Sequence, residues 1–352
     1  MRPDFSVEPF RGDLEALERM AHSAWRDEYG ISSFPNLYRP DFLRYLFDRL
    51  PEKDHLLAAY RGEEILAFLA NLPQKFHFQG KIYSAVYACL LVTRKEFLRR
   101  GMASALVREA LRLNQKYKYD FALFSLETGH RSTHLAKKLE ETGNPVQWVK
   151  KWRVIARIMD LDRVDRSEGL KFWEKAAIKL MGSHREPKII GHPPVREYKP
   201  QDLDGCLALL DQYQENVPLA LVWEKENLAW ELDYPGVAKT LVFEKDGRPE
   251  GLINFIFHDH IGKTKEKWAW VHHAAYPALS PREQYGFVQA FLKYAKDAGC
   301  IGVVEWTKNY YPLNAFYRAR FFPYFRAVNL VSWTFNPEFS LQNIRRVYEI
   351  QI

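Results

Sequence analysis

A chain of 352 residues, 47% hydrophobic and 15% aromatic, can bury more than one core and is not composed like a disordered one, so about two domains are expected. Cys89, Cys206 and Cys300 are too few and too widely spaced for a disulfide framework and read as reduced core thiols. The formal net charge of +7 favours anionic partners, whether phosphate-bearing ligands, nucleic acid or acidic lipid, without choosing among them.

Met1-Arg2-Pro3-Asp4 lacks the layout of a signal peptide, and no apolar run reaches the ~18 residues of a membrane span, so a cytoplasmic protein without a transmembrane segment is expected. Phe5 to Phe10 alternates as a strand, and Asp13 caps a helix running toward Trp25. Gly30 to Pro40 reads as a loop that borders an acceptor site, and Asp41 opens a helix over Phe42 to Leu50. The period then changes to two. Leu56 to Tyr60 and Ile65 to Leu72 form a hairpin about Gly62, and Lys75 to Phe78 pairs with Ile82 to Val92 across Gln79-Gly80.

The most informative stretch, Tyr83 to Leu113, is strand, loop and helix. The strand ends at Val92, and Leu98-Arg99-Arg100-Gly101-Met102-Ala103-Ser104 opens a helix that runs to Tyr117. Gly101 lets backbone approach a ligand, the unpaired amides of the first turn converge on it, and Arg99 and Arg100 add positive charge. Such a turn suits a diphosphate. Phe121 to Leu126 follows as a short buried strand, Ser132 to Glu141 as a helix ending at Gly143, and Trp148 to Met159 as a long strand.

These residues resemble the acyl-CoA binding motif of the GNAT superfamily of N-acyltransferases, a strand ending in Val followed by Gln/Arg-x-x-Gly-x-Gly/Ala at a helix start; the departure is Leu98 at the first position. The order of elements extends the resemblance over residues 5 to 160. It implies an α+β fold, a mixed, mostly antiparallel twisted sheet flanked by helices. It also implies an acyl-CoA donor held by Leu98, Arg99, Arg100, Gly101, Met102, Ala103 and Ser104, with no metal. Pantetheine would lie where Ala85–Val92 and Phe121–Glu127 splay apart, and the backbone N–H of Leu91 or Val92 would polarise the thioester. The family often places a carboxylate base on the strand before the loop, and Tyr83 to Val92 has none. Glu127 and His130 across the splay are therefore the candidate bases, although each also suits a structural role.

Asp160 to Pro194 reads as a join: 1–161 is a first unit, 162–193 a linker with a basic amphipathic helix over Leu170 to Met181, and 194–352 a second unit. The helix suits packing between units better than contact with a membrane. The second unit repeats the order with Val195–Tyr198, a helix over Leu203–Gln212, a hairpin of Leu241–Glu244 and Leu252–Phe257, then Trp268–Ala275, a helix over Pro281–Ala298, Ile301–Trp306, Leu313–Arg320 and Ala327–Phe335. It therefore looks like a second, degenerate GNAT-type domain. Its counterpart of the phosphate turn carries Pro277 and Pro281, which lack N–H groups. Tyr317 matches the family's late tyrosine, which often protonates the departing thiolate; in the first unit that position is Leu139. His258 and His260 share a strand face as a possible metal pair but read better as a solvated hairpin end, and His272 and His273 should face opposite ways.

The sequence thus leads to a tandem GNAT-type N-acyltransferase, acetyl transfer first, moving an acyl group from acyl-CoA to an unknown primary amine in a cleft shared with the second unit. Nucleic acid is not an expected partner. A non-catalytic CoA-binding or scaffold protein and an aminoacyl transferase of the Fem type are the alternatives.

Overall fold

The computed structural model describes residues 4–30, 32–188, 193–336, 339–342 and 344–348. Met1, Arg2, Pro3 and Gly191 lie outside them. The first half builds β1 (Ser6–Pro9), α1 (Leu14–Tyr29), β2 (Phe34–Pro35), α2 (Pro40–Phe47), β3 (Leu56–Arg61), β4 (Glu64–Phe78), β5 (Lys81–Thr93), α3 (Met102–Lys116), β6 (Phe121–Glu127), α4 (Arg131–Glu141) and β7 (Val146–Ile158). Asp13 caps α1 by accepting from the Ala16 amide at 2.8 Å, the role its position in the sequence gives it. α1 and α3 both pack on β4, which explains why Ile65 to Leu72 is buried at every position rather than alternating.

Two short helices follow, α5 (Leu161–Glu168) and α6 (Phe172–Leu180). The second half then builds β8 (Val195–Glu197), α7 (Leu203–Gln214), β9 (Leu219–Leu221), α8 (Lys225–Leu232), β10 (Ala238–Lys245), β11 (Arg248–Ile261), β12 (Lys265–Ala275), α9 (Pro281–Asp297), β13 (Gly302–Glu305), α10 (Asn314–Arg318), β14 (Phe322–Thr334) and β15 (Val347–Tyr348). β9 and α8 have no counterpart among the elements expected from sequence.

One mixed, mostly antiparallel sheet runs through the chain in the order β1-β3-β4-β5-β6-β14-β7-β13-β12-β11-β10-β8. β14, from the second half, lies between β6 and β7, while β7, from the first, pairs with β13. Each half lends the other a strand. The loop after α1 adds a second stitch, because Phe34 and Pro35 pair with Ile261 and His260 of β11.

Three expectations change. His258 and His260 are not at a solvated hairpin end: β11 and β12 continue to Ile261 and Lys265, and the rings are buried against Trp268 and Trp270. His272 and His273 do not diverge, because a bulge sets Asn254 opposite His273 and Phe255 opposite Val271, leaving His272 as the extra residue and breaking the alternation. Both rings approach Glu231. Finally, α6 turns its apolar residues outward, and Ile178 is its buried residue.

Candidate active site

β5 and β6 pair in parallel at Ala85–Phe121, Val86–Ala122 and Tyr87–Leu123, yet β5 runs on to Thr93 and β6 to Glu127. Beyond Tyr87 the two strands part. β5 bends away through a bulge: Cys89 pairs with Ala70 and Val92 with Phe68, so Leu90 and Leu91 together face Leu69. Leu90 sits in the left-handed region at φ 56°, an unusual conformation for a γ-branched residue and one that turns the next peptide out of the ladder. This is the backbone at which the family resemblance implies a thioester contact.

The splay opens into a cavity of about 370 Å³. Leu91, Val92, Leu98 and Ala103 line its end at the phosphate turn, and Glu127 and His130 line the far wall. Its walls are mainly apolar and come from both halves of the chain: Trp25 and Tyr38 from the first, Trp270, Trp306, Val331 and Trp333 from the second. Leu139, which stands where the family carries its tyrosine, also faces this space.

At the start of α3, Gly101 adopts φ +84°, which an L side chain rarely takes, and the position beyond its Cα is open. The first helical bond into the turn is Ala105 N–H to Gly101 O at 2.9 Å. Among the described residues the amides of Met102, Ala103 and Ser104 have no main-chain acceptor, no side chain caps the helix, and its first turn holds no acidic residue. Arg99 and Arg100 are exposed beside it, and Met102 is buried in the core. The turn has the chemistry of an anion cradle.

α9 begins quite differently. Ser280 caps it, and the Glu283 carboxylate accepts from Ser280 N–H at 2.8 Å while pairing with Lys245 at 2.7 Å. These bonds hold the Glu283 carboxyl down at about 2. A carboxylate of the protein itself thus occupies the place where an anion would bind.

On the cavity wall, Glu127 gathers three partners. Tyr29 donates its hydroxyl to Oε2 at 2.6 Å, His130 Nε2 lies 3.5 Å from the same oxygen, and Arg326 Nε lies 3.7 Å from Oε1. His130 Nδ1 is 3.3 Å from Glu28 Oε1. That bond to Glu28, opposed by partial burial and helped by Glu127, raises the His130 pKa above its ordinary value. Burial and the neighbouring Glu127 raise the Tyr29 pKa, so the phenol stays a donor. The structure therefore brings together the two bases chosen from sequence and adds Tyr29, Glu28 and Arg326. Tyr29 and Glu28 end α1, and Arg326 arrives on β14 from nearly two hundred residues away in sequence; no spacing pattern could reveal it.

Tyr317 lies elsewhere. It is 47% exposed on α10 and does not line the cavity. Among the described residues Glu231, His272 and His273 have ligand-type atoms within 4.8 Å of one another. Glu231 is already engaged there: Arg49 reaches one carboxylate oxygen at 2.8 Å, and the other accepts from Tyr45 and lies 2.8 Å from His272 Nδ1.

Residues 19–125 match the family model described as Acetyltransferase (GNAT) domain. No curated protein matches the sequence. Among solved structures, Saccharomyces cerevisiae N-myristoyltransferase with bound myristoyl-CoA is similar over 100% of this chain and 90% of its own, with a TM-score of 0.79 and 17% identity. A second structure of that yeast enzyme with bound myristoyl-CoA gives 0.78 and 16%, over 100% and 86% of the two chains. A GCN5-related N-acetyltransferase from Kribbella flavida gives 0.53 and 12%, over 93% and 70%. Residues 19–125 thus match a GNAT acetyltransferase domain, and the fold of the whole chain is like that of N-myristoyltransferase.

Proposed function

We propose that the chain is an acyl-CoA-dependent N-acyltransferase whose first unit binds the donor and whose second unit completes the acceptor cleft. The observation that carries this reading is the continuity between the uncapped start of α3 and the splay cavity, since one CoA molecule needs both. Diphosphate would rest on the Met102, Ala103 and Ser104 amides beside Arg99 and Arg100. Pantetheine would follow β5, bringing the thioester carbonyl to the bulge at Leu90 and Leu91. Glu127 would take a proton from the acceptor ammonium, directly or through one water. The neutral amine nitrogen then attacks the thioester carbon and the carbonyl electrons move to oxygen; as they return, the nitrogen gives up its second proton to water and the CoA thiolate is expelled. With Leu139 in the place of the family's late tyrosine, that thiolate would leave without a proton from that position.

Two donor lengths compete. Acetyl is the first expectation of the family resemblance. A longer acyl chain is favoured by the apolar cavity of about 370 Å³, in the range of pockets that take extended apolar ligands, and by the bound myristoyl-CoA of the yeast proteins with the same fold. The test is thiol release from acetyl-CoA and from myristoyl-CoA with a panel of primary amines, alongside calorimetric CoA binding. CoA binding without turnover on any amine favours the non-catalytic alternative; failure to bind CoA at all rejects the proposal.

A further inference from the structure

The helix between the two halves shows the solvent its apolar side. Phe172 is 85%, Leu180 89% and Trp173 52% exposed, and Met181 follows at 41%. At the pitch of an α-helix, Phe172, Ala176, Leu180 and Trp173 form one stripe about 100° wide. Ile178, on the opposite side, is buried in the main core and fixes the helix orientation. The segment is also fastened at its end. Ser183 donates its amide to Ile178 O at 3.2 Å and accepts the Ile158 amide on its hydroxyl at 3.1 Å.

The charge around this stripe is mostly of one sign. Lys171, Lys175 and Lys179 follow one flank, with Lys175 also reaching Asp165 at 2.9 Å. At the helix end Arg320 donates to Gly182 O, and Arg185 is exposed beside it. Glu174, the acidic residue within α6, is turned back to accept the Lys171 amide at 2.7 Å. An apolar stripe rimmed by cations is the pattern of a helix that lies in a membrane interface, with its side chains among the acyl chains and its lysines at the phosphates.

We propose that α6 is an interfacial anchor that lays Phe172, Trp173 and Leu180 into an anionic lipid bilayer. Charge complementarity selects this occupant over a second copy of the chain, because an antiparallel two-fold pairing would set one lysine row against its twin and a parallel one would leave both rows without an anionic partner. The anchor lies a short path from the cavity. Glu168, four residues before Phe172, accepts from Ser33 Oγ at 3.0 Å and Tyr324 at 2.8 Å, and the cavity residue Arg326 donates to Ser33 O at 2.7 Å. The anchor goes beyond the transferase reading and does not depend on it. It also reverses the expectation that this helix packs between units.

The test uses the full chain in co-sedimentation with vesicles of phosphatidylcholine alone and of phosphatidylcholine mixed with phosphatidylglycerol. Binding is expected on the mixed vesicles and should weaken with added salt. Phe172→Ser with Leu180→Ser should lower the partition coefficient about tenfold or more. Lys171→Glu with Lys179→Glu should lower it at least about fivefold per lysine on mixed vesicles and far less on phosphatidylcholine. Because these side chains are exposed, the thermal melt should stay unchanged in both variants and certify the fold. Absence of wild-type binding to the mixed vesicles overturns the proposal, as does equal binding by the variants. So does a lipid-free dimer that Phe172→Ser with Leu180→Ser converts to monomer, which would assign the stripe to a second copy.

Discussion

The Tyr29 hydroxyl donates to Glu127 Oε2 at 2.6 Å, joining the last residue of α1 to the last residue of β6 at the cavity wall. Holding one oxygen of the carboxylate leaves the other turned toward Arg326 and the cavity wall. If Glu127 is the base, Glu127→Gln should lower turnover by about a hundredfold to ten-thousandfold and leave CoA affinity intact, with partial recovery at high pH where the amine deprotonates unaided. Tyr29→Phe should cost less, since it loosens the carboxylate without removing it. Steady-state rates and CoA calorimetry on both variants decide the matter, and full activity of Glu127→Gln would move the base elsewhere.

His130 gives a separate handle, because its pKa is raised chiefly through Glu28. A histidine held protonated beyond its ordinary value near ~6.5 adds stability that is complete below that value and disappears as pH rises through the folded pKa. Glu28→Gln should bring the imidazole titration, followed by NMR, down toward or below the ordinary value. An unchanged titration would mean that Glu127 alone sets it.

For the donor turn, Gly101→Asp should abolish CoA binding, since it places a carboxylate at the cradle. Gly101→Ala separates charge from conformation. Space is open there but φ is +84°, so the variant should lose about 1 kcal/mol of stability and keep most of its affinity. Calorimetry with a denaturant melt reads both quantities. Equal binding by the aspartate variant with its fold intact would displace the donor site from this helix.

Only one CoA should bind per chain. α9 fills its own N-terminus with Glu283, and Pro281 removes one of the amides that a phosphate would need. Native mass spectrometry at saturating CoA should give a single adduct, and two equivalent sites would contradict the asymmetry between the halves.

The turn at Gly101 and the hairpins are legible in the amino-acid sequence because they are local. Gly101 and the strand ahead of it announce a strand-turn-helix within some thirty residues, and the hairpins at Gly62, Gly80 and Gly247 appear at their turns. Features that depend on long-range pairing are not legible in this way. The insertion of β14 between β6 and β7, which brings Arg326 to Glu127, is set by which sheet edge is free and leaves no periodic trace. The histidines mislead for a related reason. Strand alternation predicts opposite faces for His272 and His273, and only the register against β11 reveals the bulge. For α6 the amphipathic pattern is plain, but no pattern tells whether the apolar stripe faces protein or solvent.

The buried histidines carry the last prediction. Burial, first of all, lowers the pKa of His258, His260 and His273, the last to about 3. Geometry agrees for His260, whose Nε2 accepts the Trp270 indole N–H at 3.1 Å and must therefore be unprotonated there. The sign follows from proton counts. Below about pH 6.5 the unfolded chain binds protons that the folded chain refuses, so stability falls with falling pH by up to about 1.4 kcal/mol per unit for each histidine, until its folded pKa is reached. Denaturant midpoints should therefore drop between pH 7.5 and 5, before most carboxylates titrate. His258→Phe isolates one contribution: the ring sits 4.9 Å from Phe42 and 4.7 Å from Trp270, so a phenyl group suits its surroundings. That variant should match or exceed the wild type at pH 5 while changing little at pH 7.5, and an undiminished acid slope would show that His258 already protonates in the folded protein.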